Sequence, residues 1–242
     1  MKKKFVKFIT TTPILKPLRP SIWKLLTLIV FVRRRKEALY IYYKPKWEDE
    51  MFALYDRVKK ETGMELTPIS AIKIYKIVKQ LEKIPGDIAE VGVYRGGSAC
   101  IIKEVSKKPL HLFDTFTGLP TLDKKDDSSR FTKKQFDTDF QEVKKNLSKY
   151  SEVYFYKGLF PDTAGPVKDK KFSFVHLDVD LYQSTLDSLK FFYPRMNKGG
   201  IIISHDYTYS KGVRSAFDEF LSGKPEIAVD MSVYDQGLVV KI

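Results

Sequence analysis

The sequence predicts an α/β protein whose core is a doubly wound, largely parallel sheet with helices on both faces. Three observations carry that expectation. Five short apolar runs recur between Ile88 and Tyr207, and most of the segments between them are long enough for helical crossovers. The runs are apolar along most of their length, as strands buried on two faces are. Two last apolar runs, separated by a short turn, close the chain and predict an antiparallel pair.

Residues 1–46 come first and differ in composition from the rest of the chain. They hold 13 Lys and Arg against one acid, Glu37, whereas residues 47–242 hold 30 against 29. The formal net charge of +13 therefore belongs almost wholly to this extension. The remainder offers no overall basic face for a nucleic acid, and attraction to anionic lipid or an acidic partner falls to the extension. Within it, "IWKLLTLIVFV", Ile22 to Val32, is followed at once by "RRRK". A helix of that length reaches about 16 Å, roughly half of the ~30 Å hydrocarbon layer, so it is not expected to span a membrane. Its late start, with no small-residue cleavage pattern after it, argues against a cleaved signal peptide. Two roles stay open: a helix lying in a membrane interface, anchored by Trp23 and the basic cluster, or one packed on the domain or a second subunit. Pro13, Pro17 and Pro20 make the stretch before it irregular.

From residue 47 onward the elements alternate. "SAIKIYKIVKQLEKI", Ser70 to Ile84, repeats apolar residues at three and four positions and predicts an amphipathic helix stopped by "PGD". Strands are expected over Ile88 to Val93, Leu110 to Phe116, Glu152 to Gly158, Phe172 to Asp180 and Gly199 to Tyr207. "EIAVDMSV" and "QGLVVKI" form the closing pair. Thr121 to Phe140 is too polar for a core and reads as a surface insertion or lid between the second and third strands. With 14 Tyr and 17 Phe the chain can bury a full core. The single cysteine, Cys100, excludes an internal disulfide and a cysteine metal cluster; it reads as a core residue and fits a reducing cytosol.

In such sheets ligands bind beyond the carboxyl ends of the strands, where the strand order reverses. The first strand runs into "EVGVYRGGSA", with Glu90 and glycines at 92, 96 and 97. Tyr94 stands where a dinucleotide fingerprint needs its second glycine, which is wrong for a nicotinamide site. What remains is an acid and a glycine turn that brings bare backbone close to a ligand lacking pyrophosphate. Asp114, ending the second strand, can accept hydrogen bonds from both hydroxyls of a ribose. The fourth strand ends in "HLDVDLYQST", where alternation puts Asp178 and Asp180 on one side of the chain. His111 and His176 lie inside apolar runs and are expected to be hydrogen-bonded core residues. Tyr182, Ser184 and Thr185 open the next helix as capping or packing residues.

These stretches together carry a resemblance. "PGDIAEVGVYRGGSA", "LFDTFTGLP", "GLFPDT", "LDVDLYQST" and "YPRMNKGGIIISHDY", in that order, resemble the macrocin O-methyltransferase family of S-adenosylmethionine-dependent methyltransferases, which methylate sugar hydroxyls. The likeness runs from Met64 to Val240. It implies a Rossmann-like methyltransferase sheet of seven strands, mostly parallel with the last antiparallel, and bound S-adenosyl-L-methionine. It also implies a homo-oligomer and a divalent metal, Mg or Mn, at the acceptor site. By the same resemblance Glu90, Gly92, Tyr94, Gly96 and Ser98 cradle the methionine end of the cofactor, Asp114 and Thr115 hold its ribose, and Asp162 lies near the adenine. Asp178 becomes a metal ligand and base, while Asp180 stays a structural acid near the following helix. The family's fifth strand ends in two adjacent aspartates before a tyrosine; this chain has His205 and Asp206 there.

The function expected is O-methylation of a hydroxyl on a sugar or glycan-type acceptor. Methyl transfer from a sulfonium is an in-line displacement, so the protein must orient an oxygen and remove its proton. An ion held by Asp178, His205 and Asp206 would acidify that hydroxyl. Imidazole in the ligand set shifts preference from magnesium toward manganese, iron or zinc. Alternatively there is no metal, and His205, with an unperturbed pKa of about 6.5, is the general base oriented by Asp178 or Asp206. A non-catalytic cofactor-binding or scaffold protein on the same fold is the competing reading. The expected location is the cytoplasm, with contact to the inner face of a membrane through residues 1–46.

Overall fold

The computed structural model describes residues 49–231 and 235–242. The extension 1–46, its apolar stretch 22–32 and the end of the "EIAVDMSV" run lie outside the described residues. Helices α1 (Asp49–Thr62) and α2 (Pro68–Gln80) precede β1 (Asp87–Val91), α3 (Gly97–Val105) and β2 (Leu110–Asp114). Then come α4 (Phe140–Leu147), β3 (Val153–Lys157), β4 (Phe172–Leu177), α5 (Tyr182–Phe192), β5 (Met196–Ser204), α6 (Lys211–Leu221), β6 (Val229–Asp230) and β7 (Gly237–Val240). Among the described residues no helix is long and apolar enough to cross a membrane.

The seven strands form one sheet in the order β3-β2-β1-β4-β5-β7-β6. β1 to β5 run parallel, and β7 lies antiparallel to both β5 and β6. The order reverses between β1 and β4, which opens the crevice where ligands of such sheets sit. Alternation sorts the core into two layers. Ile88, Leu110, Leu112, Phe174 and Ile203 face Ile74 and Val78 of α2 and Ala99 and Ile102 of α3. Ala89, Val91, Phe113, Val175, Leu177 and Ile202 face Leu189 and Phe192 of α5 and Val213 and Phe217 of α6. All six residues of β4 are buried, as a central strand covered on both faces requires. Each such Val, Leu, Ile or Phe side chain contributes about 1.5–3 kcal/mol relative to exposure.

The first predicted helix splits at its end. Thr67 caps α2 by accepting from the Ser70 amide at 3.2 Å, Pro68 opens it, and a 3₁₀ turn over Leu81–Lys83 replaces its last turn. The Lys108 ammonium fixes that turn by donating to the Leu81 and Ile84 carbonyls at 2.7 and 2.6 Å. The parallel strands also stop earlier than their apolar runs suggest. Asp178 and His205 each extend the ladder by one amide bond, to Val91 and Leu177, and Asp180 and Asp206 then take φ of +59° and turn the chain away. Aspartate tolerates that left-handed conformation better than a branched residue would.

Residues 121–140 carry a small core of their own. Leu119, Phe131 and Leu181 pack together with Leu122 and Phe136. Three polar contacts fasten the segment to the elements after β4 and β5. Asp126 Oδ1 accepts the Tyr182 amide at 2.7 Å, Lys125 reaches Glu219 at 2.9 Å, and Arg130 donates to the Tyr209 carbonyl at 3.0 Å.

Candidate active site

The turn from β1 into α3 is built by close backbone approach. Gly92 has φ of +84°, and a Cβ there would lie 1.9 Å from the Asp178 carbonyl oxygen. The glycine is therefore required where β1 and β4 emerge side by side. Tyr94 follows with φ of +48°. Asp114, at the end of β2, holds the turn: Oδ2 accepts the Val93 and Tyr94 amides at 2.7 and 2.8 Å, and Oδ1 accepts the Phe116 amide at 2.7 Å. Burial raises its pKa against those three donors. Thr115 folds the next turn, donating to the Gly118 carbonyl at 2.9 Å.

Below this turn Glu90 is fully buried. Its Oε1 accepts from the Ser98 hydroxyl and from His176 Nδ1, the latter at 2.7 Å. The structure thus brings Glu90, Gly92, Tyr94, Gly96, Ser98 and Asp114 to one turn. Asp162 stands apart, exposed in the loop after β3. His111 is a core residue between Tyr156 and Asp87, with both ring nitrogens bonded at 2.9 Å. Cys100 is buried, and burial pushes its thiol up to about 12, so it is no nucleophile.

The second cluster forms where β4 and β5 end. His205 Nδ1 lies 3.0 Å from Asp178 Oδ1 and 3.2 Å from Asp206 Oδ2. Burial opposes a charge on this imidazole, but the two carboxylates outweigh it and hold its pKa well above the usual histidine range. Burial likewise opposes ionisation of Asp206, yet His205, Asp180 and Tyr209 together keep its pKa low. Asp180, first through burial and then through the charges of Asp206 and Asp178, is raised well above the carboxylate range. A protonated Asp180 donating to Asp206 satisfies both groups.

Two participants escaped the sequence reading. Asp180 is inside the cluster, not merely near the next helix; its spacing from Asp178 was the available signal. Tyr209, which hydrogen-bonds Asp206, carried none, because the turn that returns it to the site is not encoded in any periodicity.

Asp178, His205 and Asp206 each offer one ligand atom, all within 4.8 Å of one another. Two carboxylate oxygens and an imidazole nitrogen suit a divalent cation of the manganese, iron or zinc type better than magnesium. The residues fit such an ion, since His205 Nδ1 already lies within 3.2 Å of one carboxylate oxygen from each aspartate.

Fold and clusters together place a glycine turn at the end of β1 beside an acidic cluster at the ends of β4 and β5. The sequence profile of the macrocin O-methyltransferase family matches residues 72–240. The chain belongs to this family. Among relatives, demethyldecarbamoylnovobiocin O-methyltransferase of Streptomyces niveus is 29% identical over 171 residues, 63% of this chain and 64% of that protein. Mycinamicin III 3''-O-methyltransferase of Micromonospora griseorubida is 31% identical over 143 residues, 51% of this chain and 56% of that protein. This chain therefore spans between about half and two thirds of the curated relatives it matches. The solved structure of the O-methyltransferase NovP superposes with a TM-score of 0.62 at 24% identity, covering 71% of this chain and 79% of that one. The fold shared with the family is thus a Rossmann-like methyltransferase sheet.

Proposed function

We propose that this protein is an S-adenosylmethionine-dependent O-methyltransferase whose acceptor is a sugar hydroxyl. The family match over residues 72–240, falling on a chain that keeps both the β1–α3 turn and the acidic cluster, carries this reading. The relatives' names support the acceptor class: one is a 3''-O-methyltransferase of mycinamicin III, and another, from Streptomyces olivaceus, a 4'-O-methyltransferase of a dimethoxy-rhamnosyl tetracenomycin.

In the mechanism, the turn Gly92–Ser98 receives the methionine end of the cofactor and Asp114 its ribose, through the lone pair that its three amide bonds leave on Oδ1. The acceptor hydroxyl lies against Asp178. As oxygen attacks the methyl carbon, the carbon–sulfur bond breaks, the neutral thioether leaves, and the hydroxyl proton passes to Asp178. His205 is not the base in the metal-free protein, because Asp178 and Asp206 favour its cationic form, which has no ring lone pair left to accept a proton. It orients Asp178 and offsets the charge of Asp206. If a divalent cation binds, Asp178, His205 and Asp206 hold it, and it supplies acidification of the acceptor hydroxyl.

The test is release of S-adenosylhomocysteine with a panel of free, nucleotide-linked and aglycone-linked sugar acceptors. Wild type should turn over and Asp178→Ala should lose on the order of 10²–10⁴-fold, the usual share of a general base. Cofactor binding without turnover on any acceptor would favour a scaffold role. No cofactor binding at millimolar concentration would end the methyltransferase reading.

A further inference from the structure

We propose that His176 is a positioning residue for the cofactor site, acting through Glu90 and Ser98. The proposal rests on the reading that the methionine end of S-adenosylmethionine lies at the β1–α3 turn. Glu90 and His176 are direct neighbours across the β1–β4 ladder, and both are fully buried. One oxygen of Glu90 takes two donors: His176 Nδ1 at 2.7 Å from the sheet, and the Ser98 hydroxyl from the first turn of α3. A single carboxylate thereby ties β1, β4 and α3 together directly below the turn that carries Gly92 and Gly96.

Two features argue for more than stability. A buried ionisable pair at this depth costs desolvation that an apolar pair would avoid, and the apolar residues Ile88, Ala99, Phe174 and Ile203 fill the rest of this layer. Moreover, Glu90 Oε2 and His176 Nε2 are buried and have no partner among the described residues. A pair serving packing alone is normally satisfied by its own chain. The bond geometry directs the constraint at Ser98: His176 holds the carboxylate whose Oε1 receives the serine hydroxyl at the first turn of α3. Removing His176 leaves Glu90 free to turn and releases Ser98, while the glycine turn itself stays intact.

Isothermal titration with S-adenosylhomocysteine tests this on the full chain, alongside melting in the absence of ligand. His176→Leu should raise the Kd about ten-fold, equivalent to 1.4 kcal/mol. His176→Asn, whose amide can donate from nearly the same place as Nδ1, should recover most of that loss. Glu90→Gln and His176→Leu should combine non-additively in Kd, because they interrupt one relay. Asp114→Asn, at the turn but outside the relay, is the control for where the cofactor binds. If His176→Leu lowers the melting point but binds with wild-type Kd while Asp114→Asn weakens binding, His176 is structural and the proposal fails alone. If Asp114→Asn also binds normally, the placement of the cofactor at this turn fails with it. Should His176→Leu not fold, an unaltered Kd for both Glu90→Gln and Ser98→Ala, which interrupt the same relay, overturns the proposal equally.

Discussion

At position 205 one side chain sets the charge of the whole cluster at the ends of β4 and β5. With His205 protonated, Asp178 and Asp206 face a fixed positive charge that belongs to the protein. His205→Asp removes that charge and crowds carboxylates onto the ends of two neighbouring strands, where like charges in a buried setting repel. The variant should melt below wild type without metal, and a divalent cation should restore it. Cation at a hundred times its Kd stabilises by about 2.7 kcal/mol. Its preference should also move toward magnesium, because the donor set becomes all oxygen. Thermal melting with magnesium and manganese titrations reads both effects; a variant as stable as wild type and indifferent to both ions would show that the imidazole does not stand in for a cation. The roles of these side chains were only partly legible in the sequence. Asp178 could be found from a strand's period, but the Asp180–Asp206 and Glu90–His176 pairs are contacts between strands far apart in the chain, and no local pattern encodes which partner a buried acid meets.

Among the elements, α5 shows how the insertion and the site depend on each other. Leu181, at its N-cap, has no side-chain oxygen to offer, and the Tyr182 amide is instead capped from outside by Asp126. Gly212 on α6 permits this, since a Cβ there would lie 2.3 Å from Asp126 Oδ1. Tyr182 and Lys125 then meet on Glu219, with the ammonium 3.8 Å from the centre of the Tyr182 ring. Asp126→Ala should cost about 1 kcal/mol, as loss of an N-cap usually does. It should also speed proteolytic cleavage within residues 121–140, because the same oxygen holds the segment down. An unchanged urea midpoint together with unchanged cleavage would show the contact to be incidental. The strands and their largely parallel run could be read from apolar runs and crossover lengths, since burial on two faces leaves a plain compositional mark; the strand order could not. Polar composition marked 121–140 as surface, but its docking depends on a cap given in trans and on Leu119, Phe131 and Leu181, too few and too scattered for periodicity to expose.

For the molecule as a whole, acid stability should depend on a clamp at the carboxyl terminus. Glu226 accepts from Lys241 at 2.6 Å and from the Tyr193 hydroxyl at 2.5 Å, joining the approach to β6, the exit of β7 and the end of α5. Burial alone would raise this carboxyl, but those donors outweigh it and hold its pKa down to about 2. Because the folded value lies below the unfolded one of about 4.3, the stabilisation is complete above that unfolded value and is lost as pH falls toward 2. Urea midpoints should therefore drop more steeply between about pH 5 and 3 in wild type than in Glu226→Gln, the window following from that linkage; parallel curves would assign the acid sensitivity elsewhere. Glu50 to Ile242 form one compact unit, and from residue 47 onward Lys and Arg nearly balance Asp and Glu, whereas residues 1–46 hold 13 basic side chains and one acid. We propose that this extension brings the protein to anionic lipid. Each Lys or Arg near such a surface contributes about 1 kcal/mol, screened over a Debye length of roughly 10 Å at 0.1 M salt. Full-length protein should float with phosphatidylserine vesicles at low salt and be released in part at high salt, apolar contact from residues 22–32 retaining the rest. Residues 47–242 should stay behind at every salt concentration. Equal flotation of the two would remove the extension from any role at a membrane and leave its apolar stretch to pack against protein.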